Sequence, residues 1–382
     1  MVRWREGVVT AVERRWRGAV EVDVSVVQRA ADDPVTVRAL AYPQLVGDPV
    51  HGDRVLLNLN ALPLGLGTGG YALVVALPDR LPPDRDDPGH LVKARYTPMQ
   101  VVVLGADEAA SPHHDLLAAT DGLDGMPVVT ADLHSALPAI LAGVHGSRPD
   151  ARVAYVMTDG GALPAWFSRT LDALVDRLAG VVTVGQAFGG DLDATNIHSG
   201  LLAARHVFAA DVVIVAQGPG SLGTGTRWGF SGTSVGEIVN AAAALGGRPV
   251  GALRISESDP RERHRGVSHH SLTAYGRVAL APADVVVPSG LPAPLAAAVD
   301  AAVGPLAPPH RIVRVSVEGL EEALGGLPLR FTGGVGLSTM GRDFAEDRAY
   351  FLAGAAAGRH AAHLLPPPDS CDRPAAKASR GR

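Results

Sequence analysis

The chain has 382 residues, a length typical of two or three domains. Hydrophobic residues make up 47% of the sequence and charged residues 19%, which indicates a folded protein with a large core and excludes a disordered chain. The net charge of -5 argues against non-specific binding to nucleic acid or to an anionic membrane. The single cysteine, Cys371, excludes an internal disulfide. No apolar run is long enough for a membrane span or a signal peptide, so we expect a cytoplasmic protein.

Residues 7 to 80 predict a small antiparallel β-barrel. Apolar and polar side chains alternate strictly over 20–26, the pattern of a half-buried strand. Three more β-rich runs follow, with glycine- and proline-containing turns between them, at 35–41, 54–58 and 71–76. Some barrels of this kind bind oligonucleotides, but aromatic residues make up only 4% of the chain, which disfavours stacking on bases. A charged, proline-rich stretch at 79–90 predicts a linker.

Beyond the linker, short apolar runs alternate with segments of helical period. Because these runs are apolar throughout, they predict strands covered on both faces and hence a mostly parallel sheet flanked by helices. We favour an open, doubly wound (Rossmann-like) sheet, with a closed (β/α)8-like barrel as the alternative. The predicted strands are 100–104, 127–130, 152–157, 181–184, 211–216, 249–255, 284–287 and 311–315, and the predicted helices are 133–144, 164–178, 197–208, 234–245, 268–280, 293–303 and 343–363.

These patterns predict three parts of the chain. Residues 1–90 form the barrel domain with its linker, 91–363 form the α/β domain with its C-terminal helix, and 364–382 form a disordered, proline-led tail.

The loop after the predicted strand 211–216 is rich in glycine and hydroxyl residues. Gly218, Gly220 and Gly223 have the spacing of a dinucleotide-binding fingerprint, but they lie in the fifth strand–helix unit instead of the first, which disfavours NAD or FAD. Such a loop lets backbone N–H groups converge on an anion; the alternative is a turn that needs positive φ angles or close packing. The predicted anion-binding residues here are Gly218, Gly220, Ser221, Gly223, Thr224, Gly225 and Thr226.

The loop after the next predicted strand carries Arg263 and Arg265, whose guanidinium groups suit the same anion. An exposed basic stretch paired with acidic neighbours is the alternative. His264 and His269 of this loop, with Asp159 and Asp191 from earlier loops, are the predicted catalytic acid–base groups.

A divalent metal is a second role for these residues, because imidazole and carboxylate groups suit zinc, manganese or iron. On a helix, however, adjacent histidines point about 100° apart, which predicts that at most one of His269 and His270 reaches any one ligand. His134 lies near a helix start, where capping or packing is the commoner role. The candidate metal ligands are Asp159, Asp191, Asp193, His264, His269 and His270.

Five loop strings resemble an uncharacterised bacterial family, the domain-of-unknown-function family 3866. They are DGGALP at 159–164, GQAFGGD at 185–191, GPG at 218–220, GTGT at 223–226 and DPRERHRG at 259–266. The resemblance extends over nearly the whole chain and implies no activity, cofactor or catalytic residue. Gln186 stands where it leads us to expect a histidine.

We therefore expect an enzyme, a hydrolase or transferase, that acts on a small anionic, phosphorylated or nucleotide-like molecule at the carboxyl edge of the sheet. The alternative is a non-catalytic metabolite-binding or scaffold protein. Catalysis requires Asp159, Asp191 and the 264–270 loop to converge on the glycine loop, whereas dispersed residues favour the scaffold. A homodimer is the commonest assembly, but the sequence leaves the oligomeric state open.

Overall fold

The computed structural model describes residues 2–26, 34–65, 69–84, 88–329 and 336–367. Five strands close into an N-terminal barrel: β1 (Trp4–Trp16), β2 (Ala19–Val26), β3 (Val35–Ala41), β4 (Arg54–Asn58) and β5 (Ala72–Ala76), with the short helix α1 (Pro43–Val46) before β4. The strands pair antiparallel except β3 and β5. Val22 and Val24 are fully buried in the barrel core, as the alternating pattern predicts. The predicted barrel is confirmed.

Two short strands, β6 (Leu91–Lys93) and β7 (Val101–Val103), form an antiparallel ribbon outside the main sheet. The sequence assigned 100–104 to the parallel sheet, and this prediction is wrong. Val102, in the middle of the run, is exposed. A short apolar run looks the same in a buried strand and in a ribbon of this kind, so periodicity does not separate the two.

Most of the chain beyond the ribbon builds one sheet. Its strands are β8 (Pro127–Thr130), β9 (Val153–Thr158), β10 (Gly180–Thr183), β11 (Leu192–Asp193), β12 (Val212–Gln217), β13 (Arg248–Ala252), β16 (Asp284–Ser289) and β17 (Arg311–Ser316); β14 (Ile255–Ser256) pairs with β15 (Gly266–Val267), and β18 (Ser338–Thr339) with β19 (Arg342–Asp343), in small ribbons. The eight strands are parallel, in the order β11-β10-β9-β12-β8-β13-β16-β17. The sheet is open, so the doubly wound prediction is confirmed over the closed-barrel alternative.

Helices cover both faces of this sheet. They are α2 (His114–Ala118), α3 (Leu137–Ser147), α4 (Arg169–Ala173), α5 (Ile197–His206), α6 (Ser234–Ala244), α7 (His269–Thr273), α8 (Ala293–Val303), α9 (Leu320–Gly325) and α10 (Arg348–His363). The helices α3, α9 and α10 pack on one face, and α5 and α6 on the other. Along β12, Ile214 faces the first group and Val213 and Val215 face the second, all three fully buried. Among the described residues, no helix is both long and apolar enough to cross a membrane.

The division of the chain at residue 90 stays a prediction. Of the predicted tail, 364–382, the residues from 368 onward lie outside the described residues.

Close contacts at two glycines join the C-terminal helix, α10, to α3. A Cβ on Gly143 of α3 would collide with the carbonyl of Ala355, and a Cβ on Gly358 of α10 would collide with the carbonyl of Ile140. The two backbones therefore lie closer than any larger side chain permits. This contact holds α10 against α3 within the helix layer that covers one face of the sheet.

We predict that Gly358→Ala lowers the free energy of unfolding by about 1 to 3 kcal/mol, because the added methyl group overpacks a backbone contact. The matched control is Gly325→Ala at the end of α9, where a Cβ would have no neighbour within 4 Å. That change should be neutral or slightly stabilising. Thermal or urea denaturation of both variants measures the difference, and equal losses of stability would contradict the close packing.

Candidate functional site

The centre of the sheet's carboxyl edge contains a topological switch point. The adjacent strands β8 and β12 continue into α3 and α6, which lie on opposite faces of the sheet. Helices that leave in opposite directions open a crevice beyond the strand ends, and parallel α/β sheets bind ligands in such crevices. Asp132 and His134 follow β8, and Gln217 ends β12 directly before the glycine loop, residues 218–226.

Three histidines meet beside this crevice. His264, His269 and His270, here called the histidine cluster, each offer a ring nitrogen within 4.8 Å of the other two. The ring centroids of His269 and His270 are 4.4 Å apart. Both rings can therefore face one ligand, and the prediction that at most one of His269 and His270 reaches any one ligand is wrong. They stand in the first turn of α7, where no preceding helical turn confines their rotamers.

A buried ion network shapes the loop that carries the cluster. Asp259 is fully buried and lies 3.2 Å from the guanidinium of Arg254, 2.8 Å from that of Arg261 and 3.1 Å from that of Arg342. Burial opposes the charge of Asp259, but the hydrogen bonds and charge of Arg261, with the charge of Arg342, hold the pKa of this carboxyl well below its usual range. The network thus ties the loop to Arg254, just after β13, and to Arg342 of the β18–β19 ribbon.

Ser268 orients the ring of His264 and caps the helix that carries His269 and His270. Its Oγ lies 2.7 Å from Nδ1 of His264 and accepts a hydrogen bond from the backbone amide of His270 as the N-cap of α7. Nε2 of His264 thus remains for a ligand. Burial and the charges of nearby arginines lower the pKa of His264 to about 3, and burial with the neighbouring His270 lowers the pKa of His269 to about 4. Both rings are neutral at pH 7, the form that binds metal ions.

Asp132 reaches the cluster from the β8 loop. Its Oδ2 lies 3.6 Å from Nδ1 of His270 and 3.9 Å from the guanidinium of Arg254. Within the described residues, Asp132 Oδ2, His270 Nδ1 and His269 Nε2 are buried without a hydrogen-bond partner. Buried polar atoms are normally paired, so this arrangement is suited to an ion or a ligand.

The first half of the glycine loop packs against the neighbouring strand's loop. A Cβ on Gly218 would collide with the carbonyl of Ala162, and the carbonyl of Pro219 accepts a hydrogen bond of 2.7 Å from the amide of Ala162. Gly220 has a φ of 93°, a conformation that favours glycine. The structure therefore contains the close packing and positive φ of the turn alternative, and anion binding stays a prediction.

The second half of the glycine loop lies against the histidine cluster. A Cβ built on Gly223 would lie 3.9 Å from Cε1 of His270. The amide of Thr224 donates to the carbonyl of Gly229 at 2.7 Å, and the hydroxyls of Thr224 and Thr226 lie 3.1 Å apart. Gly225 has a φ of 82°. This turn presents two threonine hydroxyls at the surface beside the cluster.

The two candidate arginines are placed differently, although both are exposed. A Cβ built on Gly225 would lie 3.8 Å from Nη2 of Arg263, so that guanidinium adjoins the glycine loop. Nε of Arg265 donates instead to the carbonyl of Asp259 at 3.1 Å. The placement favours Arg263 as the cation for a ligand held between the glycine loop and the cluster.

The predicted catalytic carboxylates lie elsewhere on the sheet edge. Asp159 accepts a hydrogen bond of 2.8 Å from the amide of Gln186. Asp191 forms an ion pair with Arg17 of the barrel and accepts a hydrogen bond of 2.8 Å from the amide of Val181. Neither belongs to the group of side chains around the histidines. The structure thus brings the histidines together without these two carboxylates.

Asp193 also lies apart from the cluster. It accepts a hydrogen bond of 2.6 Å from the hydroxyl of Thr183 and lies 3.9 Å from Nζ of the buried Lys93, and burial raises its pKa to about 6. Lys93 in turn donates to the carbonyls of Gly185 and Ala194, which anchors the β6–β7 ribbon to the sheet. The carboxylate that does reach the histidines, Asp132, is absent from the predicted site residues. Its position directly after a predicted strand was the available signal.

A cavity with a volume of about 420 Å³, here called the Ser168 cavity, adjoins the first half of the glycine loop. His134, Ser168 and Gln217 line it, together with Arg38 from the barrel. Ser168 was not predicted as a site residue, since no nucleophile motif surrounds it.

One of two comparisons with known proteins gives a match for the chain. Over residues 38–358 the sequence matches the model of a family described as "Protein of unknown function (DUF3866)". No match was found among curated proteins. The matched region contains the parallel sheet, the glycine loop and the histidine cluster, and it confirms the family resemblance seen in the loop strings.

We predict that Asp259→Asn destabilises the protein by about 3 to 5 kcal/mol, because the buried Arg254 would lose the nearer of its two carboxylate partners. The control Asp300→Asn removes an exposed ion pair with Arg314 and should cost about 0 to 1 kcal/mol. Since the pKa of Asp259 is depressed on folding, its contribution should be complete at neutral pH and decline as the pH falls below about 4. Denaturation of both variants at pH 7 and pH 3 measures these effects; equal stabilities at pH 7 would contradict the role of the network.

Proposed function

We propose that this chain, which belongs to the DUF3866 family of proteins of unknown function, is a metal-dependent hydrolase or transferase acting on a small anionic molecule. The observation that carries the proposal is the meeting of three histidines, Asp132 and the glycine loop beside the switch point of the sheet. Position, donor chemistry and charge each support it separately.

The donor set suits a divalent metal such as zinc. Catalytic zinc sites use three protein ligands and keep a fourth position for water or substrate, and the histidine cluster supplies three imidazoles. Nitrogens bound to one zinc ion stand about 3.3 Å apart, given bonds of about 2.0 to 2.1 Å, so small rotations of the rings would bring them to that spacing. Asp132, facing Nδ1 of His270, is placed as the carboxylate that orients a metal-binding imidazole. A bound ion would supply an activated water and polarise a phosphoryl or carbonyl oxygen.

The second half of the glycine loop and Arg263 would hold the anionic part of the substrate. The threonine hydroxyls belong to the turn around Gly225, and the guanidinium of Arg263 adjoins the same turn. Arginine binds phosphate and carboxylate oxygens through paired hydrogen bonds, and the loop needs no lysine for this purpose. A phosphorylated or nucleotide-like molecule fits these groups best.

The non-catalytic alternative keeps one supporting observation. Asp159 and Asp191 lie away from the histidine cluster, and catalytic groups that do not converge favour a binding or scaffold protein. The meeting of the histidines with Asp132 and the glycine loop favours catalysis. If the protein binds a metal ion and an anion together but converts no substrate, the non-catalytic alternative is correct.

We predict that the protein binds about one zinc ion per chain and that His269→Ala abolishes the binding. The control, His198→Ala, changes an exposed histidine at the start of α5 and should leave zinc content unchanged. Elemental analysis after dialysis against zinc, with a competing chelator for affinity, gives the stoichiometry. Equal zinc content in wild type and His269→Ala would refute the metal centre.

We predict that Arg263→Ala weakens the binding of an anionic ligand about 10- to 150-fold, because a charge-assisted contact is worth roughly 1.5 to 3 kcal/mol. Arg265→Ala, an equally exposed arginine of the same loop, should cost less because its guanidinium bonds to the Asp259 carbonyl. Thermal-shift screening of phosphates, nucleotides and carboxylates selects the ligand, and titration compares the variants. If Arg263→Ala binds as tightly as wild type, Arg263 does not hold the anion; if no anion binds, the glycine loop is a structural turn.

A further inference from the structure

Ser168 and His134 form a hydrogen-bonded pair in the Ser168 cavity. Oγ of Ser168 lies 2.6 Å from Nε2 of His134, and the hydroxyl of Tyr155 lies 3.0 Å from Nδ1 of the same ring. The Tyr155 hydroxyl is also 3.1 Å from the carbonyl of Ala216 and 3.2 Å from that of Gln217. All of these groups are buried.

The partners of Tyr155 decide which nitrogen of His134 carries the proton. Carbonyl oxygens only accept, so the Tyr155 hydroxyl donates to them, and its oxygen is left to accept from Nδ1–H of His134. Nε2 then bears the lone pair and accepts the proton of Ser168. This is the arrangement of a serine nucleophile and its general base, with the tyrosine holding the base in the required tautomer.

We propose that Ser168 is a catalytic nucleophile, with His134 as its general base, in a second reaction centre that cleaves carboxylic esters or thioesters. Oγ attacks the carbonyl carbon and passes its proton to Nε2 of His134, which then gives it to the leaving alcohol or thiol as that bond breaks. Water, deprotonated by His134, attacks the acyl-serine; the carboxylic acid leaves and Ser168 regains its proton.

A structural role alone accounts for only part of this arrangement. Ser168 caps α4 by accepting a hydrogen bond of 3.1 Å from the amide of Leu171, and its extended backbone, at φ -86° and ψ 105°, breaks the predicted helix 164–178. A cap needs only the serine oxygen as an acceptor. The pairing of its proton with an oriented histidine inside a cavity is additional to that role.

Gln217 is an independent indication that the cavity takes a ligand. Its side chain is 3% exposed and lines the same cavity, and both its amide nitrogen and its amide oxygen lack a hydrogen-bond partner among the described residues. A buried amide normally has partners. Its N–H₂ group is a suitable donor for the carbonyl oxygen that becomes negative during attack by the serine.

The lining of the two adjoining cavities indicates the substrate class. Arg38 and Arg169 line the Ser168 cavity and suit a negatively charged group. A mainly apolar cavity of about 560 Å³ lies between the barrel and the sheet, and it shares Phe167 and Gly220 with the Ser168 cavity. A substrate with an anionic alcohol or thiol part and an apolar acyl group would therefore place the anionic part beside these arginines and the acyl group towards the apolar cavity, with its ester carbonyl at Ser168, next to the shared Phe167.

The proposal is independent of the metal-dependent function, because it uses none of the histidine cluster. We expect an alkyl fluorophosphonate to form one adduct per chain, on Ser168, equally with and without a chelator. Intact mass and peptide mapping identify the adduct. His134→Gln should slow labelling at least 100-fold, as loss of a general base does. Tyr155→Phe should slow it about 2- to 13-fold.

Two further variants separate the chemistry from the fold. Ser168→Asn keeps an N-cap side chain and should stay folded without being labelled. Ser135→Ala changes another serine of the same cavity, bonded to Thr339 and Tyr350 instead of a histidine, and should be labelled like wild type. Absence of an adduct in folded wild type, an adduct elsewhere, or wild-type labelling of folded His134→Gln would overturn the proposal. If His134→Gln does not fold, an unchanged rate in Tyr155→Phe would do so.

Discussion

The insertion of β12 between β9 and β8 is the constraint on which the sites depend. Backbone pairing of Val212 with Val153 and of Val213 with Val128 fixes this order. It brings the loop after β12 between the loops of its two neighbours: a Cβ on Gly161 would collide with the carbonyl of Gly218, and one on Gly232 would lie 3.0 Å from Cβ of Asp132. The glycines are needed here because three backbones converge at the switch point. The histidine cluster and the serine–histidine pair both lie at the ends of these central strands.

The barrel packs against the α/β part and lines cavities together with it. Nε1 of Trp16 donates to the carbonyl of Trp166 at 2.7 Å, and the ring of Tyr42 lies 5.9 Å from that of Trp166. Asp191, bound to Arg17, belongs to this docking surface. With the barrel in this position, its side chains complete both cavities beside the glycine loop. Burial of aromatic surface thus accounts for the docking, and the docking accounts for the shape of the cavities.

Charge is buried where a loop must keep one shape. The carboxylate of Asp259 forms ion pairs with the guanidinium groups of three arginines. It lies in the 254–268 segment, whose two ends pair as the β14–β15 ribbon. Buried ion pairs add little net stability, because desolvation offsets their attraction, but removal of one partner is costly. The network is therefore better explained by the position it gives to His264 and Arg263 than by the free energy of unfolding.

The sequence by itself determined the local structure: the alternating strands of the barrel, the burial of the strands from 127–130 through 284–287 on both faces, and the presence of glycine and histidine loops at one sheet edge. These signals are readable because side-chain period reports burial over a few neighbouring residues. Only the tertiary structure decided that 100–104 leaves the sheet, that Asp132 instead of Asp159 meets the histidines, and that Ser168 pairs with His134. These outcomes depend on strand order and on where a helix breaks. Both bring together residues far apart in the chain, and no local pattern encodes such contacts.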